Sequence, residues 1–202
     1  MPVTAAVAAD DLEAALDAVL TTLRPATDGD WSVSAGGLEW DCRRTAEHVG
    51  DVLLSYAAQL VVRPAARYVR FLAEAERGAS PAEVLELTEA GAGILAATVR
   101  TSSPRVRAFH PTGTAEPAGF AAMGCVELLA HGHDVAEGLG LTLDPPAEVC
   151  AHALERLFPQ VWAAPVADDP WLTLLWATGR AELPGHPRRT EWRWQGTPPD
   201  EA

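Results

Sequence analysis

The sequence predicts an all-α protein: a four-helix bundle followed by a short helical, tryptophan-rich extension. Three observations carry that reading. Four segments of bundle length repeat apolar residues at helical spacing, helix start and stop signals bracket them, and only one stretch alternates as a strand would.

The first helix runs from about Asp10 to Leu23, with Leu12, Leu16, Val19, Leu20 and Leu23 on one face, and Arg24-Pro25 ends it. A loop carrying Trp31 and Trp40 leads to the second helix. Its expected N-cap is Thr45, which puts His48 in the first turn, and its stripe is Val49, Val52, Leu53, Tyr56 and Leu60. Pro64 interrupts it, and an amphipathic continuation is expected to about Ala75. Ser80-Pro81-Ala82-Glu83 combines a capping box with proline at the first helical position. The third helix it opens carries Val84, Leu87, Gly91, Ile94 and Leu95 inward and ends near Arg100.

A loop rich in Pro, Gly, Ser and Thr covers 102–115. Pro117 opens the fourth helix, through Phe120, Met123, Val126 and Leu129, and Gly138 and Gly140 close it. Asp144-Pro145 is expected to cap a fifth helix ending near Phe158-Pro159, and Asp169-Pro170 a sixth, with Trp171, Leu174 and Leu175, closed by Gly179. The stretch from Thr190 to Trp194 alternates as a short strand would. The expected division is a metal-binding four-helix bundle over 1–140 and a short extension over 141–202 packed on it.

Composition narrows the function classes. The net charge of -13 repels phosphate backbones, and the short Arg43-Arg44, Arg105/Arg107 and Arg188-Arg189 pairs make no basic face, so nucleic acid is not an expected partner. All fifteen basic residues other than histidine are arginine, which removes Schiff-base and Walker-type lysines. No apolar stretch approaches a membrane span, and the Ala-rich start, Met1 to Asp10, lacks the basic region of a signal peptide. A cytoplasmic protein is expected. The three cysteines, Cys42, Cys125 and Cys150, are odd in number and form no CxxC, which argues against a disulfide framework or an all-cysteine zinc site.

Chemistry concentrates in Glu127-Leu128-Leu129-Ala130-His131-Gly132-His133-Asp134, inside the fourth helix. Glu127 and His131 stand at i,i+4 and share a face. His133 is rotated about 200° from His131 and cannot face the same ion. A carboxylate among Val126, Leu129, Ala130 and Val135 is costly unless it is paired or bound to a cation. Two ligands from one helix need a third from a facing helix. His48 is the natural one, and His110, in a loop, is the alternative. Two histidines and a carboxylate leave coordination positions open, as catalytic sites do, and suit zinc, with nickel, iron and manganese as alternatives. Asp134 and His133 are candidates for orienting His131, and Asp51 for orienting His48. Cys42, six residues before His48, is the one internal rival for an open position.

Three motifs carry a resemblance: Thr45-Ala46-Glu47-His48-Val49-Gly50-Asp51-Val52-Leu53, Gly119-Phe120-Ala121-Ala122-Met123, and Val126 to Ala136. Trp31, Trp40 and the stretch Leu174 to Arg180 also fit. With these the chain resembles the DinB/YfiT-like superfamily, and within it the mycothiol-dependent maleylpyruvate isomerase N-terminal domain family, from about Leu12 to Arg180. The resemblance implies a DinB-like bundle with a divalent metal held at one end by His48, Glu127 and His131, and use of the thiol mycothiol. The isomerases carry a full second domain after the bundle; only about sixty residues follow Gly140 here, so that domain is expected to be absent or reduced.

Three functions are compatible with this reading. In the first, the protein is an enzyme that binds a small electrophilic substrate and a low-molecular-weight thiol. The metal holds the thiol as thiolate, which attacks carbon. Loss of the thiolate again is isomerisation, and its retention is S-transfer. The second is a non-catalytic metal-binding or regulatory protein, with Trp171, Trp176, Trp192 and Trp194 as a partner surface. The third is a metal-dependent hydrolase. A homodimer is compatible with each.

Overall fold

The computed structural model describes residues 7–201, and the Ala-rich start over 1–6 lies outside the described residues. Among the described residues there are seven α-helices and no strand. Four long ones form a bundle: α1 (Ala9–Leu23), α2 (Cys42–Val62), α3 (Pro81–Thr101) and α4 (Pro117–Gly138). Three short ones follow: α5 (Ala147–Leu157), α6 (Pro159–Ala163) and α7 (Pro170–Ala177). No described helix is long and apolar enough to cross a membrane.

In the bundle α2 packs on α3 and α4, and α1 packs on α4 and α3, so α4 lies diagonal to α3. On its outer side α4 is covered by α5, on which α7 packs in turn. That explains why α4 is apolar nearly all round: Phe120, Met123, Cys125, Val126, Leu128 and Leu129 are all buried, although they point in every direction. Between α2 and α3 the backbones come close. A Cβ on Gly91 would stand 2.8 Å from the Gly50 carbonyl oxygen, so only glycine permits the approach.

Capping follows the sequence at α3, where Ser80 and Glu83 form the expected box. It differs at α2. The cap is Asp41, whose carboxylate accepts the Arg44 N–H at 2.7 Å. Thr45 is instead buried inside the helix, its hydroxyl donating to the Asp41 carbonyl. His48 therefore sits in the second turn and not the first.

The expected continuation of this helix to Ala75 is absent. The helix stops at Arg63, which adopts a left-handed conformation (φ 54°) ahead of Pro64. From there a strap without regular structure runs back along α2. Two side chains of α2 hold it: Gln59 accepts the Val69 N–H at 2.8 Å, and Asp51 accepts the Ala73 N–H at 2.7 Å. These bonds replace the ladder a helix would have made.

Three further expectations are corrected. Ile94, expected inward, is exposed, because the α3 stripe that meets its neighbours is Val84, Leu85, Thr88, Ala92 and Leu95. The stretch 190–194 is not a strand, since no neighbouring strand exists to pair with it among the described residues. Its alternation instead lays Trp192 and Trp194 against the core, with Trp192 near Phe158, while Gln195 N–H donates to the Leu157 carbonyl. The start of α5 also moves: Pro146 is its cap, with no side-chain bond from Asp144.

Candidate metal centre

α2 contributes His48 and Tyr56, and α4 contributes Glu127, His131 and Asp134. Glu127 is buried, so its carboxylate must be satisfied within the protein. Tyr56 donates its hydroxyl to Glu127 Oε1 at 3.0 Å. The other oxygen, Oε2, faces His131 Nε2 at 3.4 Å and His48 Nε2 at 3.8 Å. One donor atom from each of His48, Glu127 and His131 lies within 4.8 Å of the others.

Both contacts of Oε2 are longer than the ~2.7–3.2 Å of a good hydrogen bond. They are nearer the separation of two ligands on one tetrahedral ion, about 3.4 Å for bonds of ~2.1 Å. The donor set and its spacing therefore fit a cation.

His131 is oriented from behind. Its Nδ1–H donates to Asp134 Oδ2 at 3.1 Å, which turns Nε2 toward Glu127. Asp134 is itself buried and fixed by Arg180, whose Nη2 donates to the same oxygen at 2.7 Å. Arg180 stands at the end of α7 in a turn with local cause. Gly179 takes φ 72°, its N–H donates to the Trp176 carbonyl, and the Arg180 N–H reaches back to Leu175. A Cβ on Gly179 would meet the Arg189 carbonyl oxygen at 2.6 Å.

The electrostatics are consistent with a cation site. Burial pushes the Glu127 carboxyl up, but the facing His131 and His48 rings and the Tyr56 hydroxyl hold it below its ordinary value. Burial lowers His48 more than Glu127 raises it, leaving a neutral imidazole. Burial also opposes charge on His131, yet its hydrogen bonds to Asp134 and Glu127 prevail and raise it to about 9. The buried Glu127 carboxylate thus favours positive charge beside it, and a proton shared with the His131 ring is one source of it.

The other sequence candidates lie as follows. Asp51 bonds the strap at Ala73. His133 turns to the opposite side of α4, its ring 5.7 Å from that of Trp171. His110, the alternative ligand, lies outside the three-residue group. Its ring packs near Tyr56, Tyr68 and Trp194, and burial lowers it to about 4. Cys42 is fully buried, its thiol directed at the Ser34 and Val135 carbonyls and pushed up to about 11 by burial, so it is not the internal ligand.

Tyr56 and Arg180 were not foreseen in these roles. Tyr56 reads as one more residue of an apolar stripe, and no local spacing joins Arg180 to Asp134.

Trp40 sets its ring edge to face against His48, with centroids 5.2 Å apart, and Arg44 stacks on Trp40. Beside them opens a cleft of about 270 Å³, walled by His48, Trp40, Leu72 and Ala73. His48 is its only residue from the ligand set. Compared with family models, curated proteins and solved structures, the chain matches none.

Proposed function

We propose that the protein is a metal-dependent enzyme that uses a low-molecular-weight thiol on a small electrophilic substrate, as the resemblance to the mycothiol-dependent maleylpyruvate isomerase-like family implies. The observation that carries the proposal is the convergence of only three donors, with a cleft opening beside one of them. Zinc is the metal such a set suits, and mycothiol the thiol, in a cytoplasmic setting.

A bound ion would supply the acidity that lets a thiol lose its proton at neutral pH. Glu127 and the two imidazoles offer the charge and lone pairs that hold the ion. Asp134 and Arg180 keep the His131 ring turned toward it. Tyr56 fixes one oxygen of Glu127 and leaves the other for the centre. Trp40 braces the His48 ring at the mouth of the cleft. The reaction would be isomerisation if the thiolate is expelled again after rearrangement of the substrate, and S-transfer if its C–S bond stays and a leaving group on the same substrate carbon departs with the C–X bonding pair.

Cobalt-loaded protein should gain a sulfur-to-metal charge-transfer band when mycothiol is added, in wild type and in Cys42→Ser alike. A metal-loaded protein that shows no band would overturn the thiol reading and favour water activation or a non-catalytic role.

A further inference from the structure

We propose that a second site, between the C-terminal tail and the α5–α6 corner, binds a small organic carboxylate with an apolar body. The cavity there measures about 380 Å³, within the ~300–1,000 Å³ range of small-molecule sites. It shares no residue with the metal centre.

Charge distinguishes this cavity from the others. Arg189 and Arg193 line it, and no carboxylate does. The cleft beside His48 carries Glu47, Asp51 and Glu74, and the hollows along α3 carry Glu83, Glu86 or Glu89. In a chain of 28 acidic and 15 basic residues, two guanidinium groups without an acid mark a place for an anion. Among the described residues neither arginine has a carboxylate within 4.0 Å. Arg189 is already held in place, donating to the Ala177 carbonyl at 3.2 Å and stacking 5.2 Å from the Trp176 ring centre.

The rest of the wall is mixed: Leu157, Phe158, Val161 and the Trp194 ring form an apolar part, beside the uncharged polar side chains of Thr112, Gln160 and Gln195. A bare inorganic anion would leave that surface unused, whereas an aryl or alkyl carboxylate engages both parts.

Phenylacetate is the test probe, with phenylacetamide as its neutral counterpart of the same shape, titrated calorimetrically into the full chain. Phenylacetate should bind saturably and phenylacetamide should not. Arg193→Ala, at an exposed position, should weaken binding by about tenfold or more. Glu127→Ala, which empties the metal centre, should bind phenylacetate as wild type does. Equal binding of the amide, no binding by wild type, or wild-type affinity in an Arg189→Ala/Arg193→Ala double variant would overturn the proposal. So would binding lost in Glu127→Ala but kept in Arg193→Ala, which would place the carboxylate on the metal centre. Displacement of the probe by inorganic phosphate at equal affinity would overturn its organic part.

Discussion

Glu116 and Glu127 are both carboxylates of the α4 region that are shielded from water, and their partners differ in kind. Glu116, at the head of the helix, takes a two-pronged contact from Arg156, Nε at 2.7 Å and Nη2 at 2.8 Å. The remaining Arg156 donors go to the Gln195 and Gly196 carbonyls, so every charge there has a permanent, short partner. Glu127 has one short bond, from Tyr56, and its other oxygen faces two titratable rings at 3.4 and 3.8 Å. The first arrangement ties the tail to the bundle. The second leaves a place whose charge can be exchanged. Burial alone does not separate a structural ion pair from a site; the permanence and reach of the partners does.

The largest expected effect tests that difference directly. Glu127→Ala, His48→Ala and His131→Ala should each lower metal affinity by more than about 100-fold, whereas His152→Ala and His186→Ala should not. Elemental analysis of purified protein decides it, and full metal content in Glu127→Ala would remove the proposed centre.

Arg156→Met should act in the opposite way. It leaves Glu116 without its cation and should cost about 3–5 kcal/mol in denaturant unfolding, with metal stoichiometry unchanged in the folded protein. A large loss of metal there would erase the contrast.

A smaller effect lies behind the ligand. Asp134→Ala keeps all three donors but frees the His131 ring, and should weaken metal binding by about 10–100-fold in a chelator competition. Wild-type affinity would mean that packing alone orients the ring.

The mildest effect is a pH dependence confined to the metal-free protein. His131 rises from 6.5 to about 9 on folding, so its contribution to stability is complete below 6.5 and is lost as pH climbs through about 9. Metal takes the place of that proton. The loaded protein should lack this decline, and loading at neutral pH should release a proton, read by calorimetry in two buffers of different ionisation enthalpy. A flat metal-free stability profile over that range would contradict the assignment.

The bundle was legible because helical periodicity is a local property: the stripes of α1 and α2 and the Ser80 box can be read within a few turns. The misread points were those where a distant partner decides. Thr45 has the chemistry of a cap but lost the position to Asp41, and the segment after Pro64 follows hydrogen bonds from Asp51 and Gln59. Thr190 to Trp194 alternates without a strand to pair with. The site divides in the same way. Glu127, His131 and Asp134 follow from spacing on one helix, and His48 from the need for a facing ligand. Tyr56 and Arg180 act across the fold, so nothing near them in sequence announces it.

The Arg180–Asp134 contact also sets the smallest portable form of this centre. Transplanting the four long helices into another protein would carry every donor atom and Asp134 with them, and yet leave Asp134 without the guanidinium that fixes it. The glycine turn that follows α7 would have to travel with them. A designer or a gene-fusion event that cut the chain after α4 would inherit the ligands and Asp134 without the Arg180 support behind them.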